Sequence, residues 1–415
     1  MSEKIKLGYY SSANGIAGTE IYLRSILLGL NYDKFQVVLF CTKEHPFLRE
    51  HAFKNLINKE FIKIVNTDGD DILVGDALQS KEGNDKKEAS KVRNVWIKYC
   101  PKGIKYLAGF IKSLIRIKKV FKVHSVSILH INDDCSEPIV LSAKLAGIPN
   151  IICTLHVLPS EKKISFDSLV ELISVRCCKK MIAVSMATKG FWIERYGIEK
   201  DKVEVIYNGV DFLNDRFLCD VNKDEYWEDL GLKDDDLIVI VPGRLHIMKG
   251  YRYLIEAMPK IVDLTPNVKF LFIGDGPYEE SLKELINKLG VNEQVLFLGY
   301  RTDIIQLMKI SDLVVLPSLS ECLPYVLLEA HACGKAIVAT NISGIPEIVE
   351  DKKTGLLVPV KNSEKLAEAV SKLLSDDSMR NRMAVNGKNR INKLFTVQNM
   401  LSKTYELYDF LLKNK

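Results

Sequence analysis

The sequence predicts an α/β protein made of two doubly wound parallel sheets, one in each half of the chain. Three observations carry that expectation. Short apolar runs alternate with amphipathic helical stretches along the whole chain. Most runs are continuously apolar, as strands are when helices cover both faces of a parallel sheet. And 415 residues suit two or three domains, with an acidic, polar stretch near 205–236 dividing the pattern in two.

In order, residues 4–10 read as a strand, followed by the loop SSANGIAG and helical spacing over 20–30. Further strands are expected at 36–41, 126–131, 150–155 and 180–184. The second series has strands at 237–241, 268–273, 295–298, 313–316 and 336–339, with helices at 251–262, 278–289 and 324–332. Domains of 1–205 and 206–396 follow, with a last helix at 397–412 returning to the first. Such a tandem sets a central cleft between the carboxyl ends of two sheets, where ligands of open α/β sheets bind.

Composition removes several classes. Apolar residues make up 47% and charged residues 27%, which excludes disorder, collagen and coiled coil as the main architecture. No window of 18 uncharged apolar residues is present, and the start MSEKIKLGYYSS shows no secretory signal. Nine cysteines, an odd number with no CxxC pair, read as reduced thiols of a cytoplasmic protein. The net charge of +5 does not by itself argue for nucleic acid, and none is expected as a partner.

Chemistry concentrates where strands end. In LVVLPSLSECLPYVLLEAHACGKAIVAT (313–340), a buried strand leads to a polar loop with Glu321. Pro324 suits the first turn of a helix, and Glu329 lies about a turn and a half inside it. Amides around Cys322, Leu323 and Tyr325 would favour negative oxygen at that helix start. Glu321 can accept bonds from sugar hydroxyls, and Glu329 can take two ribose hydroxyls. In LIVIVPGRLHIMKG (237–250), Arg244 and Lys249 leave the sheet edge five residues apart, a pair suited to clamping a diphosphate.

Weaker signals share the same rim. The loop 11–20 carries Asn14, Gly15, Gly18 and Glu20 without GxGxxG spacing. FLFIGDGPYEE (270–280) lacks a third glycine and reads as a tight turn lining the cleft. His156, Ser185 and Asn208-Gly209-Val210-Asp211 are further rim candidates. Each residue alone fits a structural role as well. Asp68-Gly69-Asp70 has the letters of a metal-binding DxD but no companion ligands, so no metal is expected.

Together these segments resemble the retaining GT-B glycosyltransferases of family 4, also described as glycosyl transferases group 1. The resemblance is strongest over 203–370, in Glu321-x7-Glu329, GRLxxxKG, GDGP and SGIPEIV…TGLLVP. It implies a GT-B fold, two Rossmann-like domains facing a central cleft. It implies a nucleotide-sugar donor whose diphosphate meets Arg244, Lys249 and Gly18. Glu321 would contact the transferred sugar, Glu329 the ribose, the 322–325 backbone including Pro324 the sugar or phosphate, and Tyr300 and Arg301 the base. His156 would face the sugar, with Asn14, Glu20, Ser185 and Asn208 lining the cleft or acceptor side. The reaction would be retaining hexosyl transfer to a glycan or lipid-linked acceptor, with no metal or other cofactor and no protein base. Ala17 and Tyr207 stand where many members have glycine and proline. A nucleotide-sugar epimerase on the same frame, or an idle subunit of a transferase, stays open.

One segment lies outside this scheme. Residues 89–131 contain ten Lys and Arg and no Asp or Glu. Over 103–123, Ile104, Leu107, Ala108, Ile111, Leu114 and Ile115 form one stripe, and Lys105, Lys112, Arg116 and Lys119 share another face. This reads either as a basic amphipathic helix that lets 91–122 contact an anionic cytoplasmic membrane leaflet, or as a core helix with a solvated basic face.

Overall fold

The computed structural model describes residues 4–12, 18–42, 45–59, 61–67, 102–132, 138–158 and 166–413. The chain divides into two compact units. The first comprises 1–183, 189–205 and 403–415; the second comprises 184–188 and 206–402.

The first unit is a parallel sheet of seven strands in the order β3-β2-β1-β4-β5-β6-β7. Its elements are β1 (Ile5–Ser11), α1 (Gly18–Gly29), β2 (Phe35–Cys41), α2 (His51–Asn58), β3 (Ile62–Asn66), α3 (Lys102–Val123), β4 (Ile128–Ile131), α4 (Ile139–Ala146), β5 (Asn150–Leu155), α5 (Phe166–Cys177), β6 (Lys180–Ala183), the part of α6 (Met186–Tyr196) from Lys189 on, and β7 (Val203–Val205). β3 and β7 lie outside the sequence expectation. Both are short, and each carries a charged residue that interrupts the apolar run (Lys63, Glu204).

Alternation along β1 sends neighbouring residues to opposite faces. Tyr10 joins a core with Ile117 and Phe121 of α3, Ile139 and Ala143 of α4, Val175 of α5 and Trp192. Tyr9 faces the other way and hydrogen-bonds with Tyr408 at 2.8 Å. Tyr408 also meets His130 Nδ1 at 2.6 Å, and His130 Nε2 meets Thr154 at 2.6 Å. This chain of groups satisfies polar atoms that would otherwise be costly to bury. The strand order reverses between β1 and β4, so the sheet's switch point lies at Ser11 and Asn132.

The second unit holds a six-stranded parallel sheet, β10-β9-β8-β11-β12-β13. After α7 (Asp215–Leu218) and α8 (Lys223–Leu230) come β8 (Leu237–Pro242), α9 (Tyr251–Leu264), β9 (Val268–Ile273), α10 (Glu279–Leu289), β10 (Val295–Phe297), α11 (Ile304–Ile310) and β11 (Leu313–Leu316). Then come α12 (Tyr325–Ala332), β12 (Ala336–Thr340), α13 (Ile345–Ile348), β13 (Gly355–Val358), α14 (Ser363–Ser375), α15 (Asp377–Leu394) and α16 (Val397–Lys413). The switch point falls between β8 and β11, the strands that lead into the two charged motifs.

The stretch 205–236, which shows no period, contains α7 and α8. α8 rests on Trp227, packed with Ile238 and Leu271, and stops at Gly231 with φ +64. A single buried anchor is too little to register as periodicity. Residues 184–188 belong with the second unit rather than with the first 205 residues, and α16 joins the first unit from Lys403 onward.

Candidate functional site

The site in the second unit is built by glycines that let loops touch. Beyond β8, the Gly243 N–H donates to Ile273 O at 2.9 Å and the Leu245 N–H to Asp275 O at 2.7 Å. Gly274, with φ +133, lies so close that a Cβ there would sit 2.2 Å from Gly243 O. Tyr251 donates its hydroxyl to the same carbonyl at 2.6 Å. The GDGP turn therefore braces the loop that presents Arg244, whose side chain is exposed.

A short 3-10 turn, Ile247–Lys249, follows and ends at Gly250. Gly250 has φ +67, and a Cβ there would lie 2.0 Å from Pro317 O. That close approach brings Lys249 against the loop after β11. Lys249 Nζ donates to Glu321 Oε1 at 2.6 Å, and Ser318 Oγ donates to the same oxygen at 2.8 Å. Ser318 is fixed in turn, its carbonyl accepting from Thr340 Oγ1 at 2.6 Å. One oxygen of Glu321 is thus held by two donors, and among the described residues Oε2 accepts none.

Pro324 stands one residue before the helix that the sequence has it begin. Its φ −70 and ψ 121 are extended, and α12 starts at Tyr325. Leu323 O accepts from Asn208 Nδ2 at 2.8 Å, and Gly344 approaches Cys322 O so closely that a Cβ would stand 1.7 Å away. Burial pushes the Cys322 thiol up to about 12, so it is not a nucleophile. Gly209 lies against Thr396 O, where a Cβ would be 2.5 Å away. Asn208 is buried, so its place is that of a brace behind 322–325 rather than a cleft-lining group.

Glu329 is buried in α12 and meets Arg216 Nη2 at 3.2 Å. Burial holds its carboxyl above the usual carboxylate range, and the guanidinium opposes that shift. Arg216, on the four-residue helix α7, escaped the sequence reading because it sits in a stretch without periodicity.

Other expected residues stand elsewhere. Tyr300 is exposed. Arg301 is bound by both nitrogens to Asp303, at 2.8 and 2.6 Å, and Asp303 also accepts from Tyr226 at 3.0 Å. Ser185 is fully buried; its hydroxyl accepts from the Thr188 N–H at 3.0 Å and caps α6, so it lines nothing. Glu347 takes the next two N–H groups of that helix, Met186 and Ala187, both at 2.8 Å.

In the first unit, His156 follows β5 and its Nε2 meets Asn132 Oδ1 at 3.0 Å. Asn132 Nδ2 donates to Thr19 O at 2.9 Å, so Oδ1 must accept and Nε2 of His156 carries the proton. Burial lowers the imidazole pKa to about 3, so the ring is neutral. Gly18 opens α1 and is exposed, whereas Glu20 is buried and accepts from Thr19 Oγ1 at 2.7 Å. Asn14, Gly15, Ala17 and Asp68–Asp70 lie outside the described residues.

Two parallel sheets of this topology, with charged loops at the carboxyl ends of β8 and β11, define a GT-B fold. Residues 16–212 match the family described as Glycosyltransferase Family 4, and residues 222–390 match Glycosyl transferases group 1. The chain belongs to this glycosyltransferase family, and it is a glycosyltransferase. It is 30% identical over 314 residues to an Escherichia coli UDP-Gal:alpha-D-GlcNAc-diphosphoundecaprenol alpha-1,3-galactosyltransferase, spanning 73% of this chain and 80% of that enzyme. It is 33% identical over 196 residues to the Campylobacter jejuni N,N'-diacetylbacillosaminyl-diphospho-undecaprenol alpha-1,3-N-acetylgalactosaminyltransferase, covering 46% of this chain and 49% of the other. In fold it is similar to Anabaena HepE, solved with UDP and glucose, at a TM-score of 0.72, 22% identity and coverage of 98% and 99%.

Proposed function

We propose that the protein moves a hexosyl unit from a nucleotide diphosphate sugar to a glycan or lipid-linked acceptor, with retention, in polysaccharide or glycolipid synthesis. The observation that carries this reading is the Lys249–Glu321 contact at 2.6 Å, beside a helix start and downstream of adjacent strands. An ammonium paired with a carboxylate in the resting site can turn to a diphosphate when the donor enters. Arg244 and Lys249 then neutralise the departing phosphate oxygens, a role that needs no metal. The Glu321 carboxylate is left beside the sugar, where it orients hydroxyls and offsets positive charge at the anomeric carbon. Glu329 takes the ribose hydroxyls, and the departing phosphate receives the acceptor proton on the same face.

The E. coli relative supports a UDP-linked donor and an undecaprenol-linked acceptor by its printed activity. Among the described residues no helix is long and apolar enough to cross a membrane. Free thiols at Cys41, Cys153, Cys177, Cys178, Cys219, Cys322 and Cys333 support a cytoplasmic working place. The test is transfer from labelled UDP- and GDP-sugars to a diphosphoundecaprenol-linked sugar, with the product anomer read by NMR. A retained anomer, lost in Glu321→Ala and Lys249→Ala, supports the proposal. An epimerised donor without transfer, or wild-type turnover in both variants, overturns it.

A further inference from the structure

The ion pair between Glu329 and Arg216 is lopsided. The carboxylate side chain keeps only 6% of its surface open, whereas the arginine side chain is 42% exposed. Arg216 Nη2 stands 3.2 Å from Glu329 Oε1, and among the described residues Oε2 accepts from none. A carboxylate offers about four lone-pair sites, so about three stay open to outside donors. A charged oxygen with so little water and no protein donor is suited to ligand hydroxyls. Arg216 is also held independently of this carboxylate. Its N–H donates to Asn214 Oδ1 at 3.2 Å, and its guanidinium lies 4.7 Å from the ring of buried Phe217.

The other titratable groups nearby do not compete. Burial pushes the Cys333 thiol up to about 12 and lowers His331 to about 4, so both are neutral. Lys335 Nζ donates to Lys309 O at 2.7 Å and Ser311 O at 2.6 Å, and Lys309 Nζ donates to Cys219 O. Arg390 of α15 is engaged by the carbonyls of Ile348 and Glu347, at 3.0 and 2.8 Å. We propose that Arg216 is a positioning residue for the donor ribose: as counter-ion on Oε1 of Glu329, it leaves Oε2 to accept from the vicinal hydroxyls, so that the site selects ribonucleotides over deoxyribonucleotides. This rests on the donor role of the second unit, in which Glu329 takes the ribose hydroxyls. Without the guanidinium, burial drives a proton onto the carboxyl, and a neutral group bonds about half as strongly.

Isothermal titration calorimetry of the full chain tests it, with UDP, GDP and the 2'-deoxy form of each. Each pair shares base and diphosphate, so titration of those groups cancels in the ratio of dissociation constants. The wild type should bind the ribo form of its preferred nucleotide at least about tenfold more tightly than the deoxy form, the loss of one bond to a charged acceptor. Arg216→Met should cut that ratio to about threefold at pH 6.5, half the bond energy. The ratio should recover towards pH 8.5 as the proton leaves Glu329, a recovery that a local packing defect would not show. Glu329→Gln should give a small ratio at every pH, and Arg216→Lys should keep most of the wild-type ratio. A wild-type ratio in Arg216→Met at pH 6.5 overturns the proposal. So does equal weakening of ribo and deoxy forms, which would put the guanidinium on base or phosphate. A wild type that binds both forms equally removes Glu329 from the ribose and overturns the proposal too. One that binds none of the four nucleotides overturns the donor role itself.

Discussion

Glu329 is a carboxylate in a place that disfavours its charge, and Arg216 is the cation that meets it at 3.2 Å. Its pKa is held above the unfolded value by burial. The folded state therefore keeps a proton that the unfolded chain has released, and this acid's contribution weakens as pH rises from the unfolded pKa towards the folded one. Arg216→Met removes the guanidinium that opposes the shift and widens that window upward. The melting temperature should then fall more at pH 8 than at pH 5, and Glu329→Gln in the same background should erase the difference. At Lys249 the expected loss is catalytic. Lys249→Ala should cost about 2–4 kcal/mol of transition-state stabilisation, roughly 30- to 1000-fold in kcat/KM, with unfolding little changed. Arg244, Lys249, Glu321 and Glu329 were legible in the sequence because each follows a strong strand or lies in the helix after one. Ser318 and Arg216 were not: a serine in a polar loop and an arginine in an acidic stretch look like solvated surface until the chain folds.

Loops in the second unit are held by contacts that only glycine permits. Gly250 combines φ +67 with Pro317 O at 2.0 Å from an added Cβ. Gly250→Ala should cost about 1–3 kcal/mol from the backbone alone. Donor turnover should fall further than stability, because Lys249 is the preceding residue. Denaturant unfolding and steady-state kinetics on the same preparation separate the two. At this scale the sequence revealed element types well and exceptions poorly. Strands Asn150–Leu155, Val268–Ile273 and Leu313–Leu316 carry the expected bounds because burial on both faces makes them continuously apolar. Val203–Val205 is too short to show a period, and α3 has apolar residues on two sides, so its pattern could not say which side faces inward.

Across the whole molecule, buried neutral histidines set the response to acid. Burial lowers His130 and His156 to about 3 and His45 and His331 to about 4, from an ordinary 6.5. The folded chain then binds fewer protons than the unfolded one below 6.5, so stability is lost as pH falls from there towards the folded values. Each histidine contributes up to about 2 kcal/mol of that loss at pH 5. Three of the four belong to the first unit and His331 to the second. Calorimetry at pH 7 and pH 5 should show the first unit's transition moving down more than the second's. Equal shifts would show that these rings are hydrated in solution.

The hydrogen bond between Tyr9 and Tyr408 joins residues 399 positions apart. During synthesis, β1 therefore leaves the ribosome 399 residues before the partner that hydrogen-bonds to it. The second unit, apart from the short piece 184–188, is contiguous and can close while its end is still being translated. A released chain ending at Ser402 should thus carry a protease-resistant second unit and a first unit that chaperones still hold. Adding a peptide of α16 in trans should rescue that unit.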